Sequence, residues 1–516
     1  MRMKAHWDEV NGLLEPRVVG PDGELYPCMK IMKKKDMPAG RKVLPLRTLE
    51  DIKRSGKPKA RCVLGGHRMV MGRDYDRSWS PTVRHSTLML GLGCCVEDDG
   101  LVEYADAKQA YTTVFVEEEN RQYSNVPEGM AKVDEDGDEL VAETMNLYGG
   151  VPAGRNWYLK ASAAIVASGF TQSMHDPCYF FKKEGPAWCR VYLYVDDICT
   201  TRSRGPGGSQ LRTDLFTNMR AQGVTIEDLG TESDYLRMKI VQGQDCITVS
   251  LSEYIEDAVT TYFTGGTHGH YSVPTDRAFV DHISELREAR KVPSPKMLHA
   301  YQSITGSIGY ATHTARPDNR FCHSGLSRCL AWPDDKMYEL AERDLTYLKN
   351  TKDVVLTFRK TGEVKLEGSS DADFPAGPPT IGYEWHIANA AVSSKSEVMK
   401  STALNTAEAE LMAASEACRE AVSLRGLCEE HGHPQQKPTV LKMDNTAAIA
   451  IAEDPQMHDK SKHIHRRHLY IRELVAEGII EPKYVKTGEN TSDIFTKPLP
   501  RKEFEYHRNK LLGYQP

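Results

Sequence analysis

The stretch "RVYLYVDDICTT", residues 190–201, sets Asp196 and Asp197 side by side between two runs of apolar, β-branched and aromatic residues. The composition of the flanks predicts two strands, with the aspartates at the hairpin between them. Two like charges in a half-buried turn repel each other and are costly to desolvate. A divalent cation removes that penalty. Mg²⁺ suits the position because it takes hard oxygen ligands and keeps room for waters and phosphates. The chain's other pairs, Asp98-Asp99 and Asp334-Asp335, lack apolar strand on both sides and read as solvated turns.

Working outward, a cation site of this kind needs a carboxylate from another strand. "LVEYADAKQAY", residues 101–111, offers Asp106 at the end of a short alternating strand. Asp106, Asp196 and Asp197 at one sheet edge would hold two ions about 4 Å apart, one activating a 3′-hydroxyl and one a leaving pyrophosphate. An aspartate at a hairpin is also ordinary turn chemistry, so spacing alone leaves both readings open.

A chain of 516 residues exceeds what one hydrophobic core serves, so several domains are expected. The net charge of −6 argues against a protein that simply coats nucleic acid, but the charge is unevenly spread. Residues 29–61 hold 12 Lys or Arg against three acids, a basic arm able to meet phosphates. Residues 117–143 hold 10 acids against two bases, and "DEDGDE" within them reads as a solvated loop. The twelve cysteines form no C-x-x-C pair and are expected to be reduced, mostly buried thiols of an intracellular protein. No run approaches the ~18 apolar residues of a membrane span, and the polar start has no signal-peptide core, so no membrane partner is expected.

Further along, "WYLKASAAIVASGF" has helical spacing, with Leu159, Ala163, Val166 and Phe170 on one face. Residues 252–350 are mainly helical in pattern. Near residue 354 the pattern changes to strands "VVLTF" and "EVKLEG", a long helix from about 404 to 430, strand "TVLKM", helix "NTAAIAIAED" and a final helix "HLYIRELVAEG". That order predicts a separate α/β domain after about residue 360. It carries four more acids: Asp371 after a strand, Glu410 early in the long helix with Glu408 as its competitor, Asp444 ending a strand, and Asp493 opening "SDIFTKPL". Singly, Asp371 and Asp493 read as helix caps and Glu410 as an exposed charge. Together they suit two Mg²⁺ ions that activate water against a phosphodiester.

The apolar-flanked "YVDD" resembles the catalytic signature of reverse transcriptases, and its surroundings resemble copia-type long-terminal-repeat retrotransposons. "KARCVLGG", "SWSPTVRHST", "ADAKQAY", "VPEGM", "LYGGVPAGRNWY", "GFTQSMHDPCYF", "LYVDD", "SLSEYI", "YQSITGSIGYATHTARPD" and "LTYLKNTKD" follow in the family's order. "SSDADF", "STALNTAEAELMAAS", "MDNTAAIAIAED", "SKHIHRRHLYIRE" and "NTSDIFTKPL" then resemble the ribonuclease H region that follows in such Pol polyproteins. The resemblance implies a mixed α+β and α/β multidomain fold, a right-hand polymerase followed by a ribonuclease H-like α/β domain. The implied division is a remnant at 1–24, fingers and palm at 25–250, a helical thumb and connection at 251–360, the ribonuclease H-like domain at 361–500 and a tail at 501–516.

The resemblance also implies roles. Asp106, Asp196 and Asp197 carry over as polymerase metal ligands, and Asp371, Glu410, Asp444 and Asp493 as nuclease ligands, with two Mg²⁺ per site and Mn²⁺ as the substitute. Lys59 and Arg61 would face the triphosphate, and Tyr111 would pack on the incoming sugar and exclude a 2′-hydroxyl. Read from the residues themselves, His463, His465 and His468 have no cysteine spaced to complete a zinc site and read as solvent- or substrate-facing, with His463 the one suited to product release or RNA contact, while Lys460, Lys462, Arg466 and Arg467 read as phosphate contacts or ordinary surface charges. The implied partners are an RNA template, a DNA primer, the RNA–DNA hybrid and dNTPs. The implied compartments are the cytoplasm, in virus-like particles, and the nucleus. One departure bears on activity: Pro152 stands where the family has a glutamine that seats the nucleotide, and it has neither side-chain amide nor backbone N–H. The alternatives are a degenerate copy that binds nucleic acid without polymerising, and one that keeps only hybrid cleavage.

Overall fold

The computed structural model describes residues 2–52, 56–231, 234–263, 269–374, 378–454 and 469–514. Its class is mixed α/β, in two compact units: Met1–Val83 with Glu103–Thr231, and Arg84–Val102 with Glu232–Pro516.

The first unit is built on a six-stranded sheet in the order Thr171–Gln172, Tyr179–Glu184, Ala187–Tyr194, Asp197–Arg202, Leu101–Ala107, Ile226–Gly230. Val191, Tyr192, Ile198 and Cys199 are fully buried, which fixes the register of the hairpin that opened the sequence reading. Tyr194 pairs with Asp197, so Val195 and Asp196 are the two turn residues. A smaller four-stranded sheet, Met29–Lys33, Leu140–Thr144, Gln122–Asn125 and Val43–Leu44, lies in the same unit with the ribbon Leu46–Ile52/Pro58–Leu64. The N-terminal helix Arg2–Leu14 packs Val10 and Leu13 into a core with Cys62, Leu64, Ala142 and Leu147.

The second unit has a four-stranded sheet (Asp234–Tyr235, Met238–Gln242, Cys246–Ser250, Leu356–Arg359), a set of helices between Ser252 and Asn350, and a five-stranded sheet. The five strands run in the order Ala390–Val398, Thr380–Ile387, Glu367–Asp373, Thr439–Met443, Ile480–Tyr484. The first three are antiparallel and the last three parallel. Helix Thr406–Glu430 covers this sheet, and the Trp385 indole donates to Ala417 O at 3.1 Å beneath it.

Several local expectations change. Helix Ala153–Ala167 exists, but Leu159 and Val166 are 47% and 46% exposed. Its buried side is Trp157, Ala161, Ala164 and Ile165, because small residues let the helix approach its neighbours while Leu159 lines a surface cavity. The strand expected at "EVKLEG" runs instead from Glu367 to Asp373, so Asp371 lies inside it opposite Gly382 rather than after it. "VVLTF" pairs with Cys246–Ser250, not with the five-stranded sheet. "HLYIRELVAEG" is not the last helix: Arg501–Leu511 follows, burying Phe504, His507 and Leu511 at helical spacing within a charged stretch. The basic arm is partly spent: Lys33 lies 2.8, 3.0 and 2.8 Å from Asp134, Asp136 and Asp138, and Lys34 and Lys35 reach Glu139 and Asp138. All twelve cysteines are free and all but Cys246 are buried. Among the described residues no helix is long and apolar enough to cross a membrane. His463, His465, His468, Lys460, Lys462, Arg466 and Arg467 lie outside the described residues.

Candidate functional site

Asp106, Asp196 and Asp197 meet where two strands end. Strand Leu101–Ala107 is a sheet neighbour of Asp197–Arg202, and Ala107 N–H donates to Asp196 O at 2.8 Å. That bond sets the aspartate hairpin beside Asp106. The turn itself is strained: Val195 sits at φ +54°, a region β-branched residues avoid, at a cost of order 1–3 kcal/mol. The Trp157 indole holds it there, donating to Val195 O at 2.7 Å. Burial, then Asp196 and Asp106, push the Asp197 carboxyl up to about 6. Burial also raises Asp196, with Asp106 adding and Arg61 and Lys59 opposing. Lys108 Nζ lies 2.6 Å from Asp106 and also binds Glu227.

Lys59 and Arg61 project from strand Pro58–Leu64. The Arg61 guanidinium lies over the Tyr148 ring at 5.5 Å, and Tyr148 in turn meets Tyr111 with ring centroids 5.1 Å apart. Burial pushes the Tyr148 phenol up to about 12, and burial with the Asp196 charge raises Tyr111. Glycines make this stacking possible. A Cβ at Gly149, where φ is +81°, would stand 2.3 Å from Leu64 O, and one at Gly66 would stand 2.0 Å from Gly149 O. Gly66 and Gly149 therefore interlock, and Leu64 N–H donates to Tyr148 O at 2.8 Å.

Reading single residues missed three that organise this pocket. Asn146 Nδ2 donates to Tyr111 O at 3.0 Å and to Ala153 O at 3.1 Å, tying the tyrosine to the helix start. Trp157 holds the aspartate turn. Arg17, within the segment read as a remnant, donates to Gln109 Oε1 at 2.7 Å and to Thr112 Oγ1 at 3.3 Å. Asn146 and Trp157 sit within or beside "LYGGVPAGRNWY", where a polar or indole group in an apolar run was the available signal. Pro152 is the residue before helix Ala153–Ala167, where its missing N–H costs the helix nothing. It borders a cavity of about 800 Å³ with Arg155, Asn156 and Lys160, whose amine burial lowers to about 8.

In the second unit, one carboxylate oxygen from each of Asp371, Asp444 and Asp493 lies within 4.8 Å of the others. Among the described residues the other such acidic trio is Asp134, Asp136 and Asp138, which Lys33 already fills. Asp106, Asp196 and Asp197 are not drawn together so tightly. Gly382 lets the Asp493 turn settle on the sheet, for a Cβ there would stand 2.5 Å from the Phe495 Cβ. Thr496 Oγ1 donates to Asp371, Thr487 Oγ1 donates to Asp444 Oδ2 at 2.8 Å, and Lys497 lies 3.0 Å from Asp493.

The two helix glutamates separate cleanly. Glu408 accepts from Leu404 N at 2.7 Å and receives a cap, since Asn405 Oδ1 accepts from Glu408 N at 2.9 Å. Glu410 turns inward. It is 5% exposed, its Oε2 is buried without a hydrogen-bond partner, and burial, then Asp371 and Asp444, push it up to about 10. Burial and then Asp371 likewise push Asp493 up to about 7. Four buried or half-buried acids with one lysine leave more negative charge than the site can hold ionised. An all-oxygen donor set with an unpartnered oxygen fits a hard divalent cation.

Residues 29–275 match the model of the family described as reverse transcriptase (RNA-dependent DNA polymerase). The retrovirus-related Pol polyprotein from transposon TNT 1-94 of Nicotiana tabacum is 29% identical over 499 residues, 93% of this chain and 36% of that protein. The one from transposon RE2 of Arabidopsis thaliana is 26% identical over 460 residues, 88% of this chain and 30% of that protein. The Ty1-ER2 Gag-Pol polyprotein of Saccharomyces cerevisiae is 24% identical over 527 residues, 99% of this chain and 29% of that protein. The chain thus spans about a third of the length of these curated relatives. A solved foamy viral protease–reverse transcriptase in complex with dsDNA is similar at 14% identity and a TM-score of 0.46, over 89% of this chain and 79% of that one. Residues 29–275 thus match a reverse-transcriptase domain, and over most of its length the chain is similar to the Pol polyproteins of plant and yeast transposons.

Proposed function

We propose that the chain extends a DNA primer on an RNA template through Asp106, Asp196 and Asp197, and cuts the RNA of the resulting hybrid through Asp371, Glu410, Asp444 and Asp493. The observation that carries the first half is the bond from Ala107 N to Asp196 O, which sets three carboxylates from two strands at one edge inside the reverse-transcriptase domain. The observation that carries the second is the acid trio within 4.8 Å beside the unpartnered Glu410 oxygen.

On this reading, the palm is the six-stranded sheet and the ribonuclease H-like domain is the five-stranded sheet with its covering helix, beginning near residue 361. Mg²⁺, or Mn²⁺ in its place, would supply charge neutralisation and a more acidic oxygen nucleophile at each acid set. The chain's own residues do the rest. Arg61, steadied on Tyr148, receives triphosphate oxygens. Tyr111 sets the floor under the sugar. Lys108 must exchange its hold on Asp106 when that carboxylate takes a cation. In the second site Thr487, Thr496 and Lys497 aim the three aspartates.

A second reading, hybrid cleavage alone, has a specific observation in its favour. The nuclease acids are already gathered, whereas Asp106 is held by Lys108 and Pro152 offers no amide to a nucleotide. One experiment tests both: purified chain, a primed RNA template, dNTPs and Mg²⁺, with primer extension and RNA cleavage followed together. Asp196→Asn should abolish extension and spare cleavage, and Asp444→Asn should do the reverse. Extension retained by Asp196→Asn rejects the polymerase site, and extension absent from the unmodified chain with cleavage intact selects the second reading.

A further inference from the structure

Beyond the two acid sites, the second unit holds a basic cavity of about 780 Å³ between helices Pro295–Thr314 and Arg320–Ser327 and the end of strand Ala390–Val398. Arg287, Arg320, Arg328, Lys395 and Lys400 line it, and the acid at its wall, Glu397, is already 2.6 Å from Lys395. Among the described residues no carboxylate pairs with Arg287, Arg320, Arg328 or Lys400.

Arg320 is the informative member. It is half-buried, its Nε donates to Ser394 Oγ at 2.5 Å, and its Nη1 lies 2.8 Å from His313 Nδ1. Both partners are neutral acceptors, so they orient the guanidinium without cancelling its charge. His323 crowds the same place through Gly309, where a Cβ would stand 2.5 Å from His323 Nε2. Burial depresses Arg320, with Tyr383 and the Glu420 charge opposing, and burial with the neighbouring Arg287 charge depresses Arg328, although among the described residues no carboxylate forms an ion pair with either. An arginine taken partly out of water without an acid is costly unless an anion completes it.

The position of the cavity says which anion. Ser394 and Ser396 lie two residues apart on one face of the same strand, about 7 Å along it. Ser394 binds Arg320, and Ser396 Oγ donates to Phe495 O at 2.7 Å, in the turn that carries Asp493. Through Ser396, which lines the cavity, the cationic side chains therefore adjoin the turn that carries Asp493.

We propose that Arg320, Arg328 and Lys400 bind backbone phosphates of the same nucleic-acid duplex that lies across Asp371, Asp444 and Asp493. The inference rests on the hybrid-nuclease reading for the choice of duplex, but its test does not require cleavage. The full chain and its Arg328→Glu/Lys400→Glu and Arg320→Gln variants are titrated, without divalent metal, against a fluorescein-labelled RNA–DNA hybrid over a range of KCl. Circular-dichroism melting confirms that each variant folds.

The charge-reversal variant should bind the hybrid at least about tenfold more weakly, and its slope of log affinity against log salt should fall by about two, one per lost phosphate contact. Arg320→Gln should lose less affinity, with a slope lower by about one. Unchanged slope and affinity in folded variants overturn the proposal. So does stabilisation of the unmodified chain, but not the variants, by millimolar inorganic phosphate with hybrid affinity unaltered, since the site would then serve a free anion. Hybrid cleavage by the unmodified chain in Mg²⁺ is scored separately. If cleavage is absent but the slopes fall as stated, the nuclease reading fails and the phosphate site stands.

Discussion

The indole N–H of Trp157 donates to the carbonyl of Val195 at 2.7 Å, holding a valine at φ +54° immediately before the aspartate pair. A turn with this strain keeps its shape only while its surroundings over-determine it. Trp157→Phe preserves the ring and removes the donor. Primer extension should fall roughly tenfold in kcat, about 1.4 kcal/mol of lost positioning, with KM for dNTP little changed. Steady-state kinetics check this, and a KM-dominated effect would contradict it.

Tyr148 carries Arg61 over its ring and meets the Tyr111 ring at a tilt of 42°. Tyr148→Leu should raise KM for dNTP several-fold, in line with a cation–π contact of about 0.5–2 kcal/mol, and leave kcat nearly intact. Tyr148→Phe should restore the original KM because the ring, not the hydroxyl, meets the guanidinium. If both variants behave alike, the ring contact is not what steadies Arg61.

Glu408 and Glu410, two residues apart, should give opposite results. Glu408→Ala removes the carboxylate that accepts from Leu404 N while leaving the Asn405 cap in place, and should cost about 1 kcal/mol of stability while hybrid cleavage persists. Glu410→Gln should abolish cleavage and raise the metal-free melting temperature, because it removes a buried carboxyl surrounded by acids. Calorimetry and a hybrid-cleavage assay on the two variants separate these outcomes.

The raised carboxyls give stability a definite pH dependence. Asp493, pushed up to about 7, and Asp197, pushed up to about 6, bind protons more tightly folded than unfolded. Their contribution is fully present below the unfolded value of about 4 and is lost as pH rises through about 6 to 7. Without metal, the melting temperature should therefore fall between pH 5 and pH 8. Mg²⁺ should stabilise the chain more at pH 8 than at pH 5, and a flat metal-free profile would count against the buried acid clusters.

Gly382 should tolerate no side chain. Gly382→Ala sets a methyl 2.5 Å from Phe495 and must displace the turn that carries Asp493. A stability loss of about 1–3 kcal/mol is expected, with hybrid cleavage reduced and primer extension unchanged.

Much of this was legible in the sequence because it depends on local pattern. The apolar flanks of Asp196 and Asp197 gave the hairpin, and the run after Asn405 gave the long helix within two residues of its observed start at Thr406. What local pattern does not encode is which group a side chain finally meets. Leu159 and Val166 follow helical spacing yet face outward, because the inner face is chosen by Trp157 reaching Val195. Lys33, Lys34 and Lys35 read as free cations until the fold brings a loop about a hundred residues away against them. Helix Arg501–Leu511 was hidden because its apolar stripe is only three residues wide among charges.

The interlocked glycines have a mechanical consequence. With Gly66 pressed on Gly149, strand Pro58–Leu64 cannot shift without dragging Tyr148, and Tyr148 is five residues from the start of the helix whose Trp157 grips the aspartate turn. Arg61 and the acidic hairpin are thus joined by a short rigid strut rather than by a flexible loop. A pull on Arg61 by an arriving triphosphate would be transmitted to Val195 as displacement, so fidelity and turnover should respond together to any residue that lengthens or softens the span from Gly65 to Trp157.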